Sequence, residues 1–285
     1  FGEEGVDNDL LMQNEQENIV EMNNGCLCCT VRGDLVRILG EMAAKRLAGE
    51  IKFDRVVIET TGMADPGPVA QTFFVDDLVA ESFILDAVIT VVDAKHAMKQ
   101  LDEHREIQQQ VGFADRILLS KTDLCTEDEV TALKRRLVKM NARAEMMISE
   151  FGVAPIDRLL DVRGFNLNSI LDIAPDFLDE DKHTHNDEIQ SFVFKSAKAF
   201  DGQKFEEFMG SVTQVYGPDM LRYKGILNIK ASDRRALFQG VHMLMGLDWG
   251  RKWEPSEKKE SKIVFIGRKL PKEFITQGLE LCLAR

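Results

Sequence analysis

No apolar run in the chain reaches the ~18 to 20 residues that a bilayer-spanning helix needs, so a membrane protein is not expected. The opening stretch FGEEGVDNDL is acidic where a secretory signal would be basic and then apolar, and a cytoplasmic protein is expected. A basic excess is also missing. Lys and Arg total 36 against 48 Asp and Glu, a formal net charge of -12, whereas neutralising nucleic-acid phosphates takes clustered cations. Nucleic acid is therefore not an expected partner. Cysteine is scarce, at five in 285 residues, and Cys125 and Cys282 stand outside any spaced framework, which excludes a disulfide scaffold. What remains, 44% hydrophobic and 29% charged, is the composition of a soluble globular chain long enough for one large domain and a smaller one.

The other three cysteines crowd into four positions, Cys26, Cys28 and Cys29 of NNGCLCCT. In a reducing compartment such a group can surround a soft or borderline cation such as zinc. The expected geometry is an extended segment carrying Cys26 and Cys28, with a turn at Cys29 permitted by Gly25. A buried strand end using small apolar thiols is the alternative. The loop-like Asn23, Asn24 and Gly25 in front favour the metal.

The first ~170 residues alternate apolar runs with helical periodicity. DLVRILGEMAAKRLAG reads as a helix, DRVVIET (54–60) as a strand, PGPVAQTFFVDDLVA as a helix opened by its prolines, and ILDAVITVVDA (84–94) as a buried strand. HAMKQLDEHREIQQQVG reads as one exposed helix, RILLS (116–120) as a strand, and TEDEVTALKRRLVKMN as a helix with Thr126 and Glu129 forming a capping box. Continuous apolar strands between helices predict a parallel sheet covered on both faces, with ligands at the carboxyl ends of its strands.

Two of those ends carry polar residues suited to a nucleotide. VVIETTG places Glu59, Thr61 and Gly62 after an apolar run, a pattern fit for a hydrated magnesium ion and a mobile glycine beside a terminal phosphate. ILLSKTD places Ser120, Lys121, Thr122 and Asp123 after another. The Asp123 carboxylate can accept two hydrogen bonds from the guanine ring N–H and amino group, which adenine does not offer, while the stem of Lys121 packs over the base. Taken alone, S-K-T-D also fits helix capping.

Together these stretches resemble the CobW-type metallochaperone GTPases, P-loop NTPases related to the nickel-enzyme maturation factors, and within them the zinc-handling members. FGEEGVDNDL is similar to the family's first switch, GCLCC to its Cys-x-Cys-Cys metal motif, VVIETTGMADPGP to its Walker B and second switch, and SKTD to its guanine motif. The resemblance implies a P-loop-NTPase-like α/β domain over 1–171, with Glu59 and Gly62 in GTP hydrolysis and Ser120, Lys121 and Asp123 on the guanine base. It implies zinc on Cys26, Cys28 and Cys29, with Glu3 as a fourth ligand in one nucleotide state, and GTP, magnesium and zinc as ligands. A metalloprotein client would be the partner, and a homo-oligomer is left open. Asp65 and Asp76 stand in reserve as ligands, although turn and cap roles suit them better.

The family's phosphate loop, GxxxxGK[ST], occurs nowhere in these 285 residues, and Phe1 corresponds to a point after the family's second strand. The expectation is a sequence lacking its first strand-loop-helix-strand unit. A nucleotide-independent metal-binding or scaffold protein is the alternative.

From 172 to 188 the chain turns polar and acidic and reads as a linker, in which His183 and His185 form at most an auxiliary metal site. Residues 189–285 read as a small α+β domain similar to the CobW C-terminal domain. Its expected elements are strand IQSFVFKS, helix GQKFEEFMGSVTQVYG, strands LRYKGILNIK, RALFQGVHMLMG and KIVFIGRKL, and helix PKEFITQGLELCLA. His242 falls in an alternating strand pattern and reads as structural. Trp249 and Trp253 are expected to cover their own core.

Overall fold

The computed structural model describes residues 28–60, 62–164 and 188–284, with side chains from residue 33 onward. Glu3, Cys26, Thr61, His183 and His185, with the linker up to Asp187, lie outside the described residues. The chain divides into two compact units, one of Phe1–Ala64 and Pro68–Ile84, the other of Asp65–Gly67 and Leu85–Arg285.

In the first unit α1 (Cys28–Leu47) carries Leu35 and Leu39 into a small core with Val79 of α3 (Asp77–Ser82), joined by Val69 and Phe73 of α2 (Pro66–Val75). Asp76 caps α3, its carboxylate accepting from the Val79 N–H at 3.1 Å, so the cap reading holds. Residues 54–60, expected as a strand, are in no strand, and Val57 is 84% exposed. An apolar run becomes a strand only where a neighbour completes its hydrogen-bond ladder, and no ladder among the described residues includes this segment. Cys28 and Cys29 stand in the first turn of α1 rather than on an extended segment with a turn at Cys29.

The second unit is built on two sheets. β1 (Ile89–Asp93), β2 (Arg116–Ser120) and β3 (Glu145–Ser149) form a parallel sheet in that order, with Asp93 opposite Ser120 and Ser120 opposite Ser149. The expected strand over 84–94 contracts to its last residues, and β3 is an element that the sequence pattern did not single out. β2 lies in the middle, and Ile117 and Leu119 are fully buried. The expected single helix after β1 is two, α4 (Ala97–Glu103) and α5 (Arg105–Phe113), parted by extended backbone at His104. Gln108 turns inward and donates to the Leu101 carbonyl at 2.8 Å, meeting a need that the break creates, and α5 is buried along Gln108, Val111 and Phe113 rather than exposed. α6 (Glu127–Met140) has the expected capping box and buries Leu133, Leu137 and Met140 along one face. The short α7 (Ile156–Leu159) follows β3.

The antiparallel sheet has the order β4-β8-β5-β6-β7, from β4 (Ile189–Ser196), β5 (Met220–Asn228), β6 (Arg234–Val241), β7 (Leu244–Lys252) and β8 (Ser261–Arg268). α8 (Gly202–Tyr216) and α9 (Lys272–Leu281) cover one face, over Phe200, Phe205, Phe238 and Phe265. Ile189, Leu221, Val241 and Ile266 of the other face join Leu101, Phe113 and Leu137 in one continuous core with the parallel sheet. Across that junction Asp115 is buried against Arg222 at 2.8 Å and Arg143 at 3.4 Å and accepts from the Val88 N–H. RALFQGVHMLMG, expected as one strand, is a hairpin. His242 has φ 52 and leaves the ladder, so the chain reverses into β7. Trp249 lies on this edge strand and is 43% exposed, covering less core than expected.

Candidate nucleotide and metal site

The carboxyl ends of β1 and β2 place polar groups side by side, as the parallel register requires. Lys121, first residue after β2, takes the left-handed conformation with φ 56, which swings its side chain out of the strand direction. Its ammonium donates to Asp93 Oδ2 at 2.8 Å. His96 Nδ1 lies 3.0 Å from the same oxygen, while Asp93 Oδ1 accepts the backbone N–H groups of Lys95 at 3.0 Å and His96 at 3.2 Å. Burial works against the Asp93 charge, but these hydrogen bonds and the Lys121 ammonium prevail and hold its pKa down to about 2. Ser120 Oγ donates to the Val92 carbonyl at 3.2 Å and ties the two strand ends together.

After Lys121 the chain makes one tight turn, Thr122–Leu124, that leaves Asp123 exposed. A carboxylate on the surface and a lysine stem held from behind by Asp93 give this end an acceptor pair and an apolar platform, the two elements that a guanine ring requires. Ser120 thus ends β2, Lys121 follows it and Asp123 lies in the turn just after. Asp93 and His96 complete the arrangement, and sequence reasoning missed both. The available signal was an acid ending an apolar strand, in line with the one ending in Ser120.

Glu59 and Gly62 belong to the other compact unit. Glu59 is exposed, and Gly62 has φ 53, a conformation that a β-carbon would strain. A carboxylate oxygen is the hard donor that a hydrated magnesium ion takes, so the residue type fits that ion. Of the proposed metal ligands, Cys28 and Cys29 open α1, and Cys26 and Glu3 lie outside the described residues. Asp65, held in reserve as a ligand, accepts the Gly67 N–H at 2.9 Å and the Gln109 side chain at 3.4 Å, a turn role.

A family model described as CobW/HypB/UreG, nucleotide-binding domain, matches residues 1–148, and one described as cobalamin synthesis protein cobW C-terminal domain matches residues 189–283. The chain belongs to the CobW/HypB/UreG family of nucleotide-binding proteins, with the CobW C-terminal domain attached. Among individual relatives, the zinc chaperone YjiA of Escherichia coli is 40% identical over 277 residues, covering 96% of this chain and 85% of that protein. Zinc-regulated GTPase metalloprotein activator 1 of Saccharomyces cerevisiae is 28% identical over 311 residues, covering 95% and 71%. The crystal structure of zinc-bound YjiA GTPase from Escherichia coli matches with a TM-score of 0.75 at 37% identity, over 85% of this chain and 75% of that chain. A zinc-bound YjiA triple mutant, with one glutamate and two cysteines changed to alanine, matches equally. The family resemblance and the expected α/β domain with a smaller α+β companion are borne out. Among the described residues, no helix is long and apolar enough to cross a membrane.

Proposed function

We propose that this protein is a GTP-dependent zinc chaperone, in which binding and hydrolysis of GTP govern how tightly zinc is held and when it passes to a metalloprotein client. The observation that carries the reading is the strand-end constellation of Lys121, Asp93 and exposed Asp123 in a chain that also carries Cys26, Cys28 and Cys29. Relatives named as zinc chaperone and as zinc-regulated GTPase metalloprotein activator support it.

In this mechanism Asp123 accepts from the guanine ring N–H and amino group, the Lys121 stem lies over the base, and Ser120 fixes the strand end beneath. Glu59 would hold a hydrated magnesium ion, which supplies charge neutralisation at the phosphates when bound, and Gly62 would follow the terminal phosphate. Cys26, Cys28 and Cys29 supply thiolates to the zinc cargo, and Glu3 adds an oxygen in one nucleotide state. Loss of that oxygen on hydrolysis loosens the metal for handover. The domain division of the reading is a nucleotide-binding domain over 1–171, a linker over 172–188 and a C-terminal domain over 189–285, in a cytoplasmic protein.

The test is equilibrium titration of a fluorescent GDP on this chain and on a form extended upstream by about 40 residues, one strand-loop-helix-strand unit. Competition by GTP and not ATP in the extended form, lost in Asp123→Ala, is the expected result. Equal competition by ATP would remove the guanine assignment. Zinc binding with no nucleotide binding in either form would leave the nucleotide-independent metal protein.

A further inference from the structure

The segment after Gly62 leads into α2, and Asp65–Gly67, at the start of that helix, belong to the compact unit that holds the C-terminal sheet. Gly67 is buried there, and its backbone lies against the imidazole of His242. A β-carbon on Gly67 would stand 2.8 Å from His242 Nε2, 3.1 Å from Asp65 Oδ1 and 3.2 Å from the Phe113 ring. His242 is fixed on every side. Its Nδ1 lies 3.3 Å from the Gly217 carbonyl, and its Nε2 edge faces Gly67. Its ring packs on Phe113 with centroids 5.4 Å apart, its N–H donates to the Met220 carbonyl at 2.9 Å, and its own carbonyl accepts from the Tyr223 hydroxyl at 3.2 Å.

The left-handed φ of 52 at His242 is a conformation that a side chain other than glycine holds at a cost, and the surrounding bonds maintain it. It aims the ring at Gly67, in the first turn of α2, while turning the chain from β6 into β7. The next residue, Met243, is 62% exposed, so the hairpin tip has one side on the start of α2 and one side in solvent.

We propose that His242 is a positioning residue that seats Asp65–Gly67, the entry to α2, against the C-terminal sheet and carries the nucleotide state of the segment holding Glu59 and Gly62 into the β6–β7 hairpin. The coupling half of this rests on the function proposed above, in which that segment responds to nucleotide. The seating half does not. With Gly67 fixed between His242 and Phe113, rearrangement at Gly62 either stops at the seat or lifts Asp65–Gly67 from it, and lifting removes the packing that orients His242 and the hairpin.

The experiment is hydrogen exchange on the full-length protein with GDP and with a nonhydrolysable GTP analogue, for wild type, Gly67→Ala, His242→Asn and the double variant. Asn tolerates the left-handed backbone, so His242→Asn removes the ring without forcing the turn, and thermal melts verify folding. Expected are at least about tenfold faster exchange at the Gly67 amide in each single variant, and a double variant less perturbed than the product of the two, because the shorter Asn makes room for the Ala methyl. In wild type the hairpin amides around 242–245 exchange differently in the two nucleotides, and His242→Asn abolishes that difference with nucleotide affinity within about twofold of wild type. An unchanged Gly67 amide in His242→Asn overturns the seating, whether or not the protein binds GTP. A hairpin response that persists in His242→Asn, or is missing from a wild type that binds GTP, overturns the coupling. No GTP binding by wild type would fail the proposed function instead, with the Gly67 amide still deciding the seat.

Discussion

Where the parallel sheet ends, at Asp93 and Ser120, the chain stops pairing and gathers polar groups that face outward, while the antiparallel sheet and the helices on it share a core rich in aromatic rings. Phe200, Phe205 and Phe238 stack edge to face at centroid distances of 5.1 and 5.0 Å, and each is at most 2% exposed. Lys121, by contrast, sits in a left-handed conformation with its ammonium on a carboxylate. Parallel strands must break off in loops on the same side, so their ends collect chemistry. Antiparallel strands return through tight turns, as at His242, where the ladder between β6 and β7 ends.

Substitutions should separate the two regions, the largest effects falling in the aromatic face. Phe205→Ala empties the centre of that face and should cost about 3 to 5 kcal/mol, read as a lower urea midpoint, and leave guanine nucleotide binding by the folded protein unaltered. Asn141→Ala, beside the parallel sheet, comes next. Its amide donates to the Val111 and Ala114 carbonyls, both at 2.8 Å, and its oxygen accepts the Arg143 and Ala144 N–H groups, both at 3.1 Å, with Asn141 itself fully buried. A loss on the order of 3 kcal/mol in the same assay follows from stranding those groups.

At the strand ends the pattern reverses. Asp123→Ala should leave the melting temperature within about 2 °C and weaken guanine nucleotide binding at least about tenfold. Asp93→Asn should lower stability by about 1 kcal/mol at neutral pH, since Lys121 and His96 lose a charged partner. Its pH signature has a definite sign. The folded pKa of about 2 lies below the ordinary value near ~3.9, so the Asp93 contribution is present above that value and disappears as pH falls through about 2. Wild type should therefore lose stability on acidification more steeply than Asp93→Asn. Thr126→Ala, removing one half of the α6 capping box, should cost about 1 kcal/mol with nucleotide binding unchanged.

Much of this architecture was legible because its elements repeat with a clean period. β2, β4, β8, α6, α8 and α9 match their apolar spacing, and Thr126 with Glu129 marked a helix start correctly. The strands that escaped notice lack such a signal. β7 holds Gly246, Asp248 and Gly250 and is exposed along most of its length, so no alternation sets it apart. Residues 54–60 gave the opposite error, an apolar run whose strand needs a partner that sequence periodicity does not report. V-H-M-L-M alternates well enough to hide a turn at His242, which is held by Gly217, Met220 and Tyr223, all distant in sequence. The S-K-T-D string was visible in the sequence, whereas the Asp93–Lys121 pair, which joins residues 28 apart, became visible only when β1 lay beside β2.

Whether nucleotide controls the metal is read by competitive zinc titration against a chromophoric chelator. Measured on the full-length protein with GDP and with a nonhydrolysable GTP analogue, zinc affinity should differ at least about fivefold between the two, a coupling of roughly 1 kcal/mol, and the difference should vanish in Glu3→Ala. Equal zinc affinity in both nucleotides, with Cys26, Cys28 and Cys29 still required for binding, would contradict the account and leave a metal site that GTP does not govern.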